Sequence, residues 1–295
     1  MTDRATAAGG STARKPIALS FDVECYYQIV TKDFLGRAIP PTPEVVRNTN
    51  WILDLLKDNS AKATFFFLGN VAETYPDLVK RAVAEGHEIG VHGDVHDYVC
   101  DMDQAAFRSE IERGMAKIRA AGAQRIAGHR ATAFSISRKN LWALDTLRDL
   151  GLEYDSSIFP FQGGRYGIPD WSRRPSKTEA GIAEIPMSVV TVAGRKIPCM
   201  GGGYVRYFPI AFTRWCARQL HREGLTPVCY FHPYEFDDRK PHFSTEALAG
   251  VEPEKVRRLA KFNRMQGIGR GRGMRRKLEW LVKNYDIVPV GALAS

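Results

Sequence analysis

Residues 17–24 read IALSFDVE, an apolar run that turns acidic at its C-terminal end. Alternate side chains of a strand point the same way, so a strand here puts Asp22 and Glu24 on one face. Two acids closing an apolar strand are costly to bury unless they are paired, protonated or bound to a metal. Next comes PEVVRNTNWILDLLKDN (43–59), which sets Val45, Thr49, Ile52, Leu53 and Leu56 on one helical face behind a proline start. The strand-then-helix unit recurs outward from there. KATFFFLG (62–69) precedes the helix PDLVKRAVAEG (76–86), and HEIGVH (87–92) precedes QAAFRSEIERGMAKIRAAG (104–122). RIAGHR (125–130) precedes SRKNLWALDTLRDLG (137–151), and LEYDSS (152–157), AEIPMSVV (183–190), PVCYFHP (227–233) and DIVPV (286–290) complete the strands. Further helices fall near 209–223 and 273–285.

Seven or eight strands alternating with helices predict an α/β fold with a mostly parallel sheet, curled into a barrel that need not be complete. Chemistry in such a fold sits at the C-terminal strand ends. Asp22 and Glu24, His92 and His96, Arg130, Asp155 and His232 each lie at or just past the end of an apolar run.

The chain has 295 residues, 44% hydrophobic and 25% charged, a composition that supports a sizeable soluble core. Its first fifteen residues are small and polar and read as a disordered extension without a secretory signal, which makes a cytoplasmic location the expectation. Five cysteines without a C-x-x-C pair read as reduced, small buried hydrophobes, with Cys25 set apart by its place beside the acidic strand end. The net charge of +9 is concentrated: between Lys255 and Lys277 stand ten Lys or Arg and no acid. Such a run is a solvated face, a nucleic-acid footprint, or a contact for anionic lipid or a phosphate-bearing substrate. Without interleaved aromatics or zinc-knuckle spacing, no nucleic acid is expected. GIGRGRG (267–273) neither follows a strand nor opens a βαβ unit, so it reads as a flexible loop rather than a dinucleotide motif.

The stretch H-G-D-V-H spaces His92 and His96 four apart. On a helical turn the pair shares a face and brings two imidazoles within reach of one metal ion. Alone the spacing is weak. With one nearby acid as third ligand, it becomes an open metal site in which the other acid serves as base. His87 reads as structural, and His129 as pointing away from its neighbour Arg130. Arg130 reads either as the cation that fixes a carboxylate or as half of a surface salt bridge. His232, emerging from an apolar run, suits a general acid.

Taken in order, SFDVE, HGDVH, HRATAF, YDSSIFP and YFHP resemble the polysaccharide deacetylase family with the NodB homology domain (carbohydrate esterase family 4) over about residues 17–235. ATFFFLGNVAE, GHEIGVHG, GGGYVRYFP and YFHPYEFD are similar to its cytosolic exopolysaccharide-locus subgroup, in which a basic segment is also present. The resemblance implies a distorted, incomplete (β/α) barrel. It makes residues 16–295 one NodB-like domain that includes a basic helical segment at about 250–285. It further implies one divalent metal, Zn²⁺ before Co²⁺, Ni²⁺ or Mn²⁺, and hydrolysis of N-acetyl groups from an amino sugar in a glycan or glycan precursor. By position, Asp22 resembles the base, His92 and His96 the metal ligands, Arg130 the residue that orients the base, and His232 the acid. Where the family has a second adjacent acid, this chain has Val23, and Glu24 stands in as third ligand; the division between Asp22 and Glu24 stays open. Thr132 replaces the family's proline. Asp155 matches a motif position that supports the site from behind. Gly202, Gly203 and Tyr204, in a glycine-rich stretch, are expected to admit substrate to the main chain. The partner expected is an N-acetylated amino sugar, lipid-linked or nucleotide-linked, with peripheral contact at an anionic inner membrane face. Alternatives are a hydrolase of cyclic amides on the same scaffold and a non-catalytic glycan-binding module.

Overall fold

The computed structural model describes residues 14–163 and 166–294, so the expected N-terminal extension lies almost wholly outside the described residues. Its strands are β1 Pro16–Val23, β2 Thr64–Phe67, β3 Glu88–Val91, β4 Gly128–His129, β5 Tyr154–Asp155, β6 Ser176–Lys177, β7 Ala183–Glu184, β8 Val189–Val192, β9 Arg195–Pro198, β10 Val228–Phe231 and β11 Asp286–Val288. Its helices are α1 Tyr26–Leu35, α2 Glu44–Asp58, α3 Gly69–Thr74, α4 Pro76–Ala84, α5 Gln104–Ala120, α6 Trp142–Asp149, α7 Gly202–Tyr207, α8 Ile210–Arg222, α9 Thr245–Leu248, α10 Pro253–Gly267 and α11 Arg272–Asn284.

One sheet runs β10-β1-β2-β3-β4-β5-β7-β6, parallel except for β6 against β7, and β11 adds to the start of β1. Its two end strands do not pair, so the expected distorted, incomplete (β/α) barrel is what the chain forms. The strand at AEIPMSVV is broken in two. Pro186 offers no N–H to the ladder, so β7 stays in the main sheet while β8 leaves it for a hairpin with β9, turned at Ala193–Gly194 with φ of 48° and 77°. Helix α1 was not legible from periodicity; it starts on the Cys25 thiol, which accepts from the Gln28 N–H, and stops at Gly36 with φ 64°. Among the described residues no helix is long and apolar enough to cross a membrane.

The alternation of β1 sorts the whole interior. Ile17, Leu19, Phe21 and Val23 face the layer of helices, packing with Ile52, Leu53 and Leu56. Ala18 faces the barrel lumen with Phe66, Tyr154, Met187 and Tyr230. In register across the sheet, Asp22, Phe66, Gly90, Gly128 and Tyr154 form one row. The glycines in that row are steric requirements: a Cβ on Gly90 would lie 2.3 Å from the Phe66 ring, and one on Gly128 would lie 2.2 Å from Tyr154. Two large rings therefore lie across the lumen in the row that Asp22 begins, and the remaining polar groups gather at the C-terminal strand ends.

Cysteines 25, 199, 216 and 229 are buried as expected, but Cys100 is exposed, and no disulfide joins any of the five. His87 is structural: its Nδ1 accepts the Ala63 N–H, and burial is the main influence pushing its pKa down to about 4.

Candidate active site

Six of the sequence-predicted residues converge at the C-terminal mouth of the barrel. Glu24, one residue past β1, places Oε2 3.3 Å from His92 Nε2 and 3.2 Å from His96 Nε2. All three side chains are buried, and their ligand atoms lie within 4.8 Å of one another. A tetrahedral metal with bonds of about 2.0–2.1 Å sets its ligand atoms about 3.3 Å apart, so the two measured edges suit such an ion. The donor chemistry agrees. His92 Nδ1 donates to the Arg130 carbonyl at 2.8 Å, which leaves Nε2 with its lone pair toward Glu24. Burial raises the pKa of Glu24, but the charge of His232 and then the neighbouring triad histidines outweigh it and hold the carboxylate well below its usual range. The buried Glu24, His92 and His96 triad can thus bind a metal.

The histidines do not share a helical turn. They bracket a loop after β3 in which Gly93 has φ 89° and His96 itself φ 62°. The loop is shaped from below by Glu110 of α5, whose Oε1 accepts the N–H groups of Asp94 and Val95 at 2.8 and 2.9 Å. Asp94 turns away from the triad to Arg113 and Lys117. Glu110 sits on the buried face of α5 beside Phe107 and Ile111, so a charge at a core-facing helical position was the signal that could have found it.

Asp22 belongs to a different pair. Arg130, fully buried, donates from Nη1 to Asp22 Oδ1 at 2.8 Å and to Ser20 Oγ at 2.7 Å, and from Nε and Nη2 to the carbonyl and hydroxyl of Ser156. Its guanidinium lies 4.3 Å from the Phe66 ring centroid. A surface salt bridge is thereby ruled out for Arg130. The other oxygen of Asp22 faces His232 Nε2 at 3.9 Å, and Glu24 Oε1 lies 3.6 Å from the same nitrogen.

His232 follows β10 and is the partly exposed member of the group, stacked on Tyr234 with ring centroids 5.0 Å apart. Glu235, three residues on, accepts the His232 backbone N–H at 3.1 Å and lies 3.3 Å from Nδ1. Burial lowers the pKa of His232, but Glu24, Glu235 and Asp22 together raise it to about 9. Glu235 is itself driven up by burial and brought below its usual range by His232 and Arg206. It was missed from sequence, although an acid three residues after a turn-opening histidine is a capping-box spacing.

The turn that carries His232 and Glu235 is clamped from outside by the stretch read as a flexible loop. Arg270 donates from Nε and Nη2 to the Tyr234 carbonyl, the Gly271 N–H reaches the Glu235 carbonyl at 2.9 Å, and Arg275 Nε reaches the Phe236 carbonyl at 2.9 Å. Lys277 donates to the carbonyls of Val205, Arg206 and Phe208. The basic run is therefore partly internal structure, with Lys255, Arg258, Lys261, Arg264, Arg272 and Arg276 facing outward.

Asp155 does not enter the mouth. It bonds His129 Nδ1 at 2.6 Å and Ser157 Oγ at 2.7 Å, and reaches the site through Ser157, which accepts the Ala131 N–H next to Arg130. His129 points away from the lumen as expected. The glycines around Gly202 answer first to Tyr230: a Cβ on Gly201 would fall 2.0 Å from that ring, and Gly202, with φ 48°, would set one 3.1 Å from its hydroxyl. Gly203 and Tyr204 are half-buried beside them, with Tyr204 close to Tyr166.

Residues 9–154 match the family model described as polysaccharide deacetylase, and residues 156–293 match a domain of unknown function, DUF3473. A chitooligosaccharide deacetylase of Rhizobium leguminosarum bv. trifolii is 35% identical over 99 residues, 34% of this chain and 43% of that protein. A peptidoglycan-N-acetylglucosamine deacetylase of Bacillus cereus is 45% identical over 60 residues, 20% of this chain and 22% of that protein. The chain thus spans less than half the length of these curated relatives. Among solved structures, a putative polysaccharide deacetylase from Mycobacterium smegmatis shares the fold with a TM-score of 0.57 at 19% identity, covering 98% of this chain and 96% of that one.

The buried Arg130–Asp22 pair makes a stability prediction. Arg130→Gln leaves a buried carboxylate without its cation and is expected to cost about 3–5 kcal/mol in denaturant unfolding. In an Asp22→Asn background the same change should cost far less; an undiminished loss there would show that the pair carries no coupling.

Proposed function

We propose, from the premise that this chain belongs to the polysaccharide deacetylase family and carries a DUF3473 segment behind the matching region, that it removes N-acetyl groups from an amino sugar of a glycan or glycan precursor. The observation that carries the reading is the buried Glu24, His92 and His96 triad standing beside two separately supported proton-transfer groups, Asp22 and His232. A divalent cation bound by the triad, zinc by the chemistry of its donors, would polarise the acetyl carbonyl and make water available as a nucleophile near neutral pH.

The chain's own residues supply the proton traffic. Asp22 takes the proton released as water adds to the carbonyl carbon, with Arg130 compensating its charge and fixing its orientation. His232 presents Nε2 toward the carboxylates while Nδ1 is directed at Glu235, so the proton on Nε2 is the one available to the departing nitrogen. Protonation there lets the C–N bond break to acetate and a free amine. Three rings, those of Phe66, Phe134 and Tyr230, surround the guanidinium of Arg130 and exclude water from it.

A cleft of about 430 Å³ is lined by Asp33, Phe34, Tyr98, Phe262, Lys255 and Arg258, and its Tyr98 ring, whose hydroxyl donates to Asp33, lies 5.7 Å from that of His96. Aromatic walls suit a sugar ring, and the two cations suit an attached phosphate, which supports a lipid-linked or nucleotide-linked substrate.

The test pairs metal analysis with acetate release from acetylated amino-sugar oligomers. One metal per chain is expected in the native protein, with both metal and acetate release lost in His92→Ala. Metal retained in His92→Ala, or no acetate from metal-loaded native protein on any acetylated amino sugar, would overturn the reading. A pH profile tests the acid. His232 must be protonated to donate, and Glu235 raises its pKa, so Glu235→Gln should move the alkaline limb of kcat/KM to lower pH by about one unit. An unmoved limb would remove Glu235 from that role.

A further inference from the structure

Five of the seven exposed large hydrophobic side chains among the described residues gather at one corner: Tyr207, Phe208, Trp215, Met265 and Ile268. Contacts between two segments hold them together. The Tyr207 hydroxyl donates to the Met265 carbonyl at 3.1 Å, and Arg206 Nη1 donates to the Gln266 carbonyl at 2.8 Å. Phe208, Phe212 and Trp215 form a ladder with ring centroids 4.7 and 5.8 Å apart. Ile268, at the tip of the turn between α10 and α11, is 56% exposed. A soluble protein seldom gathers its exposed apolar side chains in this way without a partner for them.

The two segments that build this corner carry charge of one sign. Residues 204–222 and 255–278, which carry all five side chains, contain no aspartate or glutamate. On α8, Arg214, Arg218 and Arg222 recur every fourth residue, are exposed, and make no hydrogen bond or ion pair among the described residues. With Trp215 and Trp280 they line a groove of about 380 Å³ between α8 and α11. Apolar and cationic groups therefore share one surface and one groove.

We infer that this face docks on an anionic lipid bilayer. A soluble polyanion would satisfy the arginines but leave Ile268, Met265 and Phe208 in water. A bilayer takes both, with phosphate headgroups on the arginine row and the ring ladder and Ile268 entering the headgroup boundary. The surface lies on the outer side of the clamp that holds His232, since Arg270, two residues beyond Ile268, bonds the Tyr234 carbonyl. Docking would bring the catalytic mouth close to a membrane-borne substrate, yet the inference stands without that reading, because lipid binding needs no turnover.

Flotation with vesicles of equimolar phosphatidylglycerol and phosphatidylcholine, against phosphatidylcholine alone, tests it on the full chain. Binding to the anionic vesicles is expected, and the Arg214→Ser, Arg218→Ser, Arg222→Ser triple variant should bind about a hundredfold more weakly, each arginine near an anionic surface contributing about fivefold. Phe208→Ser with Ile268→Ser should also weaken binding, while circular dichroism and acetate release from a soluble oligosaccharide stay as in the native chain. No binding to anionic vesicles, binding that survives both sets of substitutions, or an apolar-pair variant that binds as well as native would each overturn the inference. So would a dimer in light scattering that the apolar pair dissolves, since a second copy would then be the occupant.

Discussion

The pair formed by Arg130 and Asp22 inside the barrel is the constraint on which the rest of the structure turns. A guanidinium without solvent contact needs a counter-charge and a partner for every N–H, and here Asp22, Ser20, Ser156 and the Met187 sulfur supply them around a platform of Phe66. Such a pair adds little net stability over an apolar replacement, but losing one member is costly. Its value lies in position: with one oxygen bound to Arg130, Asp22 holds the other toward His232 at the mouth. The ring-over-glycine pairs Phe66 over Gly90 and Tyr154 over Gly128 continue the row of the sheet that Asp22 begins. The same rings that close the lumen thus fix the height of the reactive layer.

Most of this architecture was legible because it follows from periods of two and 3.6 residues. The parity of residues 17–24 separates core from lumen, and the acidic end of that run marks the reactive edge. What could not be read depends on contacts distant in sequence. The spacing H-G-D-V-H is one that a helix would use, yet Glu110 and two left-handed residues, Gly93 and His96, build it as a loop. Arg130 gave no sign that it pointed inward, because Ser20, Ser156 and Phe66 lie on three other strands or strand ends. Helix α1 begins on the Cys25 thiol rather than on the serine or aspartate that a reader looks for. Ten basic residues looked like one surface, but Arg270, Arg275 and Lys277 direct their charge at backbone carbonyls, and a further unpaired row lies on α8.

The boundary between the two matching regions, at residues 154–156, falls inside one sheet. Asp22, Glu24, the triad histidines and Arg130 come from the first region, whereas His232 and its partner Glu235 come from the second. β10 from the second region pairs with β1 from the first, register Ala18 to Val228 through Phe21 to Phe231, which sets Asp22 and His232 side by side. The second region then adds its own restraint on His232, through Arg270, Gly271 and Arg275 on the turn Pro233–Phe236. A site divided in this way works as a unit only while the β1–β10 ladder is intact.

The central claim is that the inward-facing Glu24, His92 and His96 form the seat of a catalytic metal ion. The most direct measurement is anomalous diffraction at the zinc edge from crystals of the zinc-loaded protein. The account predicts one strong peak bounded by Glu24 Oε2, His92 Nε2 and His96 Nε2, with Asp22 outside the inner ligands. A peak lying elsewhere, or an empty triad in protein that has taken up zinc, would contradict it.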